Sequence, residues 1–370
     1  MGSLEGLYVH VPFCPTLCPY CDFQVVRRFG GIVEAYLKRL GEEARELHAS
    51  HPEPLQTLYL GGGTPSFLRS AELARLREAL PWGLEGAEVT LEANPGTLNR
   101  ERLELLRALG VNRLSIGVQS FQDPVLKTLG RAHGRKGALK AVEMSLETGF
   151  RTSLDLILGL PGQELEADLR EARALGVGHI SAYTLQIEPG TPFELANLHT
   201  DEEQEALAFE RAEEILGEAG LVRYEVSNFA RPGQESRHNR LYWQTRFWGA
   251  LGPGAAGHYR AGQGVYSRRT TNPPLPRWLG GEAPLVEEIG PLEHAREALM
   301  LGLRLREGVD VQAIERRTGL ELWEALSPRM EKLVAQGALR AEGQRLSVPN
   351  LNLVHGAVLE LWEGLEASPL

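Results

Sequence analysis

Tyr8-Val-His-Val-Pro-Phe-Cys14-Pro-Thr-Leu-Cys18-Pro-Tyr-Cys21-Asp-Phe23 holds every cysteine of the chain. The spacing is C-x3-C-x2-C, directly after an alternating apolar run, Gly6–Val11, that reads as a strand. Three thiolates on one short loop are too close, and odd in number, for a disulfide framework. A shared metal centre fits them better. A Cys3His zinc knuckle asks for a histidine soon after the last cysteine. The next one downstream is His48, and His10 lies upstream in the strand. An iron–sulfur cubane normally takes four cysteines, one per iron. Three leave one iron open, and an open position marks a catalytic rather than a structural metal site.

Downstream, short β-branched runs alternate with amphipathic helical runs. Residues 32–49 place Val33, Tyr36, Leu37, Leu40, Ala44 and Leu47 on one face and predict a helix. A second strand at 55–60 runs into Gly61-Gly62-Gly63-Thr64-Pro65. Strands are expected again at 88–93, 113–118, 152–158 and 179–187, with helices at 70–80, 99–109, 123–148 and 163–175. Thr200 and Glu203 read as a capping box before a long helix that ends at Gly220. Residues 221–226 are a candidate seventh strand. Strand then helix, repeated every ~25–50 residues, means a parallel sheet with right-handed crossovers. Periodicity does not separate a barrel from an open doubly wound sheet; both put chemistry at the C-terminal ends of strands.

Three units are expected: 1–227, a connecting segment at 228–285, and 286–370. The middle one is rich in Gly, Pro, Arg and aromatics, including Trp243, Trp248 and Trp278, and reads as an ordered functional segment. The last one is helical and then makes a hairpin at 338–348. Residues 310–335 look like helix–turn–helix, with Asp310 as N-cap and Gly319 as the break, so the module reads as winged-helix-like. Residues 290–370 carry twelve acidic against nine basic side chains, which removes the electrostatic footprint of a nucleic-acid binder. A lid or a partner surface is the expectation.

The whole chain has 370 residues, 42% hydrophobic and 24% charged, with a net charge of −10. That composition suits one large domain plus a small one and argues against non-specific nucleic-acid binding. No basic leader precedes the first strand, and no apolar run approaches the ~20 residues of a membrane span. A cluster on three thiolates wants a reducing compartment. The expectation is a cytoplasmic protein, with peripheral membrane contact left open.

The cysteine spacing resembles that of the radical S-adenosylmethionine (SAM) superfamily. The resemblance implies a [4Fe–4S] cluster on Cys14, Cys18 and Cys21, with SAM chelating the open iron and an electron donor that reduces the cluster. In that superfamily the reduced cluster splits SAM into methionine and a 5′-deoxyadenosyl radical. It also tips the architecture to α/β, a partial (β/α)6 barrel with the winged-helix-like module behind it. Further segments carry the same resemblance. Gly62, Gly63 and Thr64 match the backbone segment that grips SAM's amino group. Glu92 in Leu-Glu-Ala-Asn-Pro, Gln119 in Ser-Ile-Gly-Val-Gln-Ser-Phe, Arg131 in Gly-Arg-Ala-His and Asp155 in Ser-Leu-Asp-Leu-Ile match SAM contacts. Arg131 suits the methionine carboxylate, and Asp155 a ribose. Tyr8 matches a family tyrosine near the cluster.

From about residue 6 to the end, these contexts together look like the oxygen-independent coproporphyrinogen III oxidase group. One branch oxidatively decarboxylates two propionates to vinyls. The other is regarded as a haem chaperone that hands haem to haem-accepting proteins. The chaperone branch is favoured by three features. The dehydrogenase has another cysteine two residues after the third cluster cysteine, where this chain has Phe23. The dehydrogenase has a longer segment before strand one. And His238-Asn239-Arg240-Leu241-Tyr242-Trp243 matches the His-Asn-x-x-Tyr-Trp motif of the chaperones, with His238 as candidate haem ligand and His258 as a second candidate.

Overall fold

The cysteine stretch leaves the C-terminal end of strand β1 (Gly6–Val11). The structure, a computed structural model, describes residues 3–196, 202–261 and 266–366. After β1 come α1 (Ile32–Ser50), β2 (Thr57–Gly62), α2 (Ser70–Glu78), β3 (Glu88–Ala93), α3 (Arg100–Ala108) and β4 (Arg113–Gln119). The series continues with α4 (Asp123–Thr128), α5 (Gly134–Glu147), β5 (Arg151–Leu158), α6 (Leu165–Ala174) and β6 (His179–Thr184). β1 to β6 pair in chain order and all run parallel, the expected partial (β/α)6 barrel.

Alternation along each strand decides which side chains reach the barrel interior. In β4, Leu114, Ile116 and Val118 are buried in the sheet–helix core, while Arg113, Ser115, Gly117 and Gln119 line the internal cavity. In β5, Leu154, Leu156 and Leu158 join the core, and Ser153, Asp155 and Ile157 face the cavity. The outer helices supply the matching apolar faces; α1 buries Val33, Tyr36, Leu37, Leu40 and Ala44.

The segment expected to connect two units is instead part of the sheet. Thr200 of the expected capping box lies outside the described residues. After α7 (Glu202–Gly217), the candidate seventh strand shrinks to β7 (Val222–Arg223). It pairs antiparallel with β8 (Asn228–Ala230), which pairs antiparallel with β6. Helix α8 (Arg237–Trp243) then crosses the floor of the barrel. The chain re-enters at the opposite edge as β9 (Trp248–Leu251), parallel to β1, followed by antiparallel β10 (Ala256–Arg260), β11 (Ser267–Thr271) and β12 (Leu285–Ile289). The finished sheet has twelve strands in the order β12-β11-β10-β9-β1-β2-β3-β4-β5-β6-β8-β7. The extension covers the exposed backbone edge of β1, which would otherwise stay unpaired. Trp278 is fully buried beside Tyr36 of α1, ring centroids 5.6 Å apart, and belongs to the core, while Trp243 and Trp248 are half-buried.

The C-terminal module follows as α9 (Pro291–Gly302), β13 (Val309–Asp310), α10 (Val311–Thr318), α11 (Leu322–Ala335), β14 (Arg340–Glu342), β15 (Arg345–Ser347) and α12 (Val354–Glu366). Helix, strand, two helices and a hairpin, with strand order β13-β15-β14, is the winged-helix-like arrangement expected. Asp310 caps α10 by accepting from the Ala313 N–H at 3.0 Å, and Gly319 ends it at φ 76°. The module has its own apolar core, separate from that of the barrel. Among the described residues no helix is long and apolar enough to cross a membrane.

Candidate cluster and SAM site

Beyond β1 the chain pairs Phe13–Cys14 with Val26–Arg27, folding the cysteine loop back over the C-terminal mouth of the barrel. The three thiols are free and half-buried. Burial pushes Cys14 up to about 11 and raises Cys21, so the thiolates need a cation. Among the described residues no group of three or more His, Cys, Asp or Glu side chains is placed to hold a single metal ion. Cys14 Sγ lies 3.6 Å from Thr64 Oγ1, and Arg131 Nη1 lies 3.6 Å from Cys18 Sγ.

Below the loop is a cavity of about 420 Å³, lined by all three cysteines and by residues of β2 to β6. The glycine turn at the end of β2 forms its wall. Gly63 N–H donates to Val11 O and Thr64 N–H to Phe13 O, both at 2.9 Å. A Cβ on Gly63 would sit 2.9 Å from each of those carbonyls, so the turn admits no side chain there. Gly62 holds φ 106°, which a side chain disfavours. Its N–H donates to Glu92 Oε2 at 2.9 Å, and Tyr59 donates to Glu92 Oε1 at 2.8 Å. Burial, with the neighbouring Asp155 charge, raises Glu92 to about 7 against those hydrogen bonds. Asp155 accepts from Ser115 Oγ at 2.9 Å, and burial raises it too. Gln119 sits in the left-handed region at φ 69°, where the β4–β5 register slips, and its side chain enters the cavity.

The radical SAM superfamily description matches residues 8–173, and the HemN C-terminal domain matches 289–351. The chain is 35% identical to the heme chaperone HemW of Bacillus subtilis over 91% of its own length and 92% of that protein. The chain belongs to the HemW family. The Escherichia coli heme chaperone HemW is also 35% identical, over 90% of this chain and 91% of that protein. So is the mouse mitochondrial radical S-adenosyl methionine domain-containing protein 1, over 100% of this chain and 91% of that one. Among solved structures, coproporphyrinogen III oxidase (HemN) of Escherichia coli superposes with a TM-score of 0.81 over 97% of this chain and 90% of that one. At 20% identity that likeness shows the fold.

In this HemW-family chain the structure gathers Cys14, Cys18, Cys21, Gly62, Gly63, Thr64, Glu92, Gln119, Arg131 and Asp155 around one cavity. Tyr8 stands apart: it does not line the cavity, and its hydroxyl bonds His10 Nδ1 at 3.0 Å. His238, the candidate haem ligand, lies away from the cavity. It is buried under the barrel floor, with Nδ1 2.7 Å from Thr57 Oγ1 and Nε2 2.7 Å from Tyr242 OH. Its ring stacks on Tyr59 at 5.1 Å. Both nitrogens are hydrogen-bonded, and through them His238 pins α8 to β2. His258, the second candidate, is also buried; its Nδ1 lies 3.0 Å from Arg246 O, and its Nε2 has no hydrogen-bond partner among the described residues.

Sequence reasoning missed Tyr59, Arg113, Ser115, His179, Ser181 and Tyr183, which also line the cavity. The signal was present. On β6, His179, Ser181 and Tyr183 alternate with the buried Ile180 and Ala182, a polar stripe on the face opposite the helices.

Proposed function

We propose that this HemW-family protein binds haem and transfers it to haem-accepting proteins in the cytoplasm, with a [4Fe–4S] cluster and SAM as its own cofactors. The observation that carries the reading is the identity to heme chaperones over nearly the whole chain. Cys14, Cys18 and Cys21 would hold the cluster, and an external electron donor would be its source of electrons. Bound there, the cluster would supply an open iron and an electron to SAM.

The residues around it do the positioning. The Gly62–Thr64 backbone, fixed against β1, presents polar main-chain groups to SAM's amino end. Arg131 meets the methionine carboxylate, and Gln119 a polar edge. Glu92 and Asp155 hold acceptors ready on β3 and β5. SAM is a cation at its sulfonium and amino groups, so its arrival favours the ionised forms of both carboxyls.

Oxidative decarboxylation of coproporphyrinogen III is the competing reading. Phe23 counts against it: an exposed aromatic ring at the cavity mouth stands where the dehydrogenase has a cysteine. The test is an anaerobic haem titration of the cluster-loaded protein, followed by transfer to an apo-haemoprotein. Saturation near one haem per chain, with transfer, is expected. Unsaturable uptake, or conversion of coproporphyrinogen to protoporphyrinogen, would overturn the reading. Cys18→Ala should lose most of the cluster iron, read by iron and sulfide analysis.

A further inference from the structure

A second groove, about 400 Å³, shares Thr16, Cys18, Asn94 and Arg131 with the SAM cavity. The rest of its lining, Arg102 and His133 included, is absent from that cavity. The cysteine loop therefore has two approaches. All three cysteines line the first, which is the place proposed for SAM. The second passes Cys18 alone of the three.

The groove is polar and cationic. Ser66, Asn94 and Thr97 supply hydroxyl and amide groups, Arg102 and Arg131 the charge, and no carboxylate lines it among the described residues. That reverses the sign of the chain as a whole, which carries −10. Arg102 donates Nη1 to Leu68 O at 2.7 Å and makes no ion pair among the described residues. Lys127 and Lys136 are exposed on either side of the lining run 130–133 and make none either. Other arginines of these helices are committed, Arg100 to Glu147 and Arg135 to Glu171. Pro15, Thr16 and Leu17, the whole stretch between the first two cysteines, are exposed, Leu17 at 46%. An apolar tip beside a polar, charged rim is the anatomy of a small protein–protein interface.

We infer that this groove and its rim are the docking face of the electron donor, a small acidic carrier protein with a one-electron flavin or iron–sulfur centre. The inference rests on the cluster and SAM part of the proposed function and names its partner. The carrier's centre loses one electron and the cluster gains it, with no bond made or broken. Electron transfer falls steeply with distance, so the donor has to reach the loop itself. With SAM in the first cavity, the Cys18 flank is the approach that stays open. An acidic carrier is repelled by most of this molecule and steered to the place where unpaired cations gather. The lysines and Leu17 carry the face beyond the groove, further than a small anion reaches.

The experiment uses cluster-loaded wild type, Arg102→Glu, and Arg340→Glu as a charge-matched control on the exposed C-terminal hairpin. The probe is an acidic flavodoxin. Its oxidised form gives affinity by calorimetric titration, and its hydroquinone gives the rate of cluster reduction by stopped-flow absorbance. Arg102→Glu should weaken binding and slow reduction about tenfold at low salt, with the gap closing at high salt. Arg340→Glu should match wild type. Photoreduced 5-deazariboflavin, which is uncharged, should reduce all three alike, and SAM affinity should be unchanged. Cluster iron and circular dichroism exclude misfolding; Arg102→Gln, with a smaller effect in the same direction, is the substitute if the reversal does not fold. Equal affinity and rate in the three proteins would overturn the docking face, as would a wild type that deazariboflavin reduces and flavodoxin does not. Equal slowing with dithionite, a small dianion, would overturn it in favour of a small-anion groove. A wild-type cluster that no reductant reduces would overturn the cluster and SAM reading instead.

Discussion

Glu92 shows how much a single carboxyl in this barrel is asked to do. It is half-buried on the cavity wall, yet it accepts from Tyr59 and from the Gly62 N–H, the turn proposed to hold SAM. Its folded value, about 7, lies above the ordinary 4.5. A raised carboxyl contributes its full stability below pH 4.5 and loses it as pH climbs through 7. In the SAM-free protein, unfolding free energy should therefore fall across that window. Replacement by Gln should flatten the fall by about 3 kcal/mol, measured as the difference between wild-type and Glu92→Gln denaturation curves. The difference matters because Glu225, buried and raised to about 7, titrates in the same window. A slope identical in both proteins would show that Glu92 is ionised throughout.

Turns and one short helix set the site at the next scale. The Gly61–Gly63 turn works because its backbone lies against Val11 and Phe13 with no room for a Cβ. Gly63→Ala should cost about 1–3 kcal/mol of stability and weaken SAM binding, read by calorimetric titration of the cluster-loaded protein. Helix α8 carries the His-Asn-x-x-Tyr-Trp motif, and the structure gives that motif a fastening role. Ser236 caps it by accepting from the Asn239 N–H at 3.2 Å, and Arg113 of β4 reaches Gln234 O at 3.0 Å just before it. His238→Ala should cost about 2–4 kcal/mol, because it empties a buried site and strands Thr57 and Tyr242. In variant protein that remains folded, the haem Soret maximum should match wild type. A shifted maximum would return His238 to the iron.

Across the whole molecule, two cores meet along a polar seam. Val226 N–H donates to Arg304 O at 3.1 Å and Arg306 N–H to Tyr224 O at 2.9 Å. Arg223 ties three parts together: its Nη1 lies 2.9 Å from Glu213 of α7 and 2.8 Å from Asn352, just before α12. Its Nε and Nη2 both donate to Val226 O. Arg223→Ala should lower stability by about 2–3 kcal/mol, discounted because Glu213 is partly solvated. It should also split one calorimetric transition into two as the module uncouples. A single transition at unchanged temperature would mean the seam is held by other contacts.

Local chemistry was legible along the chain. Three cysteines within eight residues announce their centre because metal ligation depends on donor type and spacing. The six parallel strands are readable from their apolar runs, since a strand packed beneath an outer layer of helices must be apolar on its outer face whatever its neighbours. Glu92, Gln119, Arg131 and Asp155 could be placed at or near strand ends, and the fold brings them to one cavity. The tertiary structure decided the rest. β9 to β12 are short and rich in Gly and Arg, so nothing local marks them as strands; the open edge of β1 makes them so. Two histidines, His238 and His133, are alike in a sequence. One has both nitrogens bonded and the other keeps one free, because hydrogen-bond partners come from elements distant in the chain and exist only once the sheet has closed.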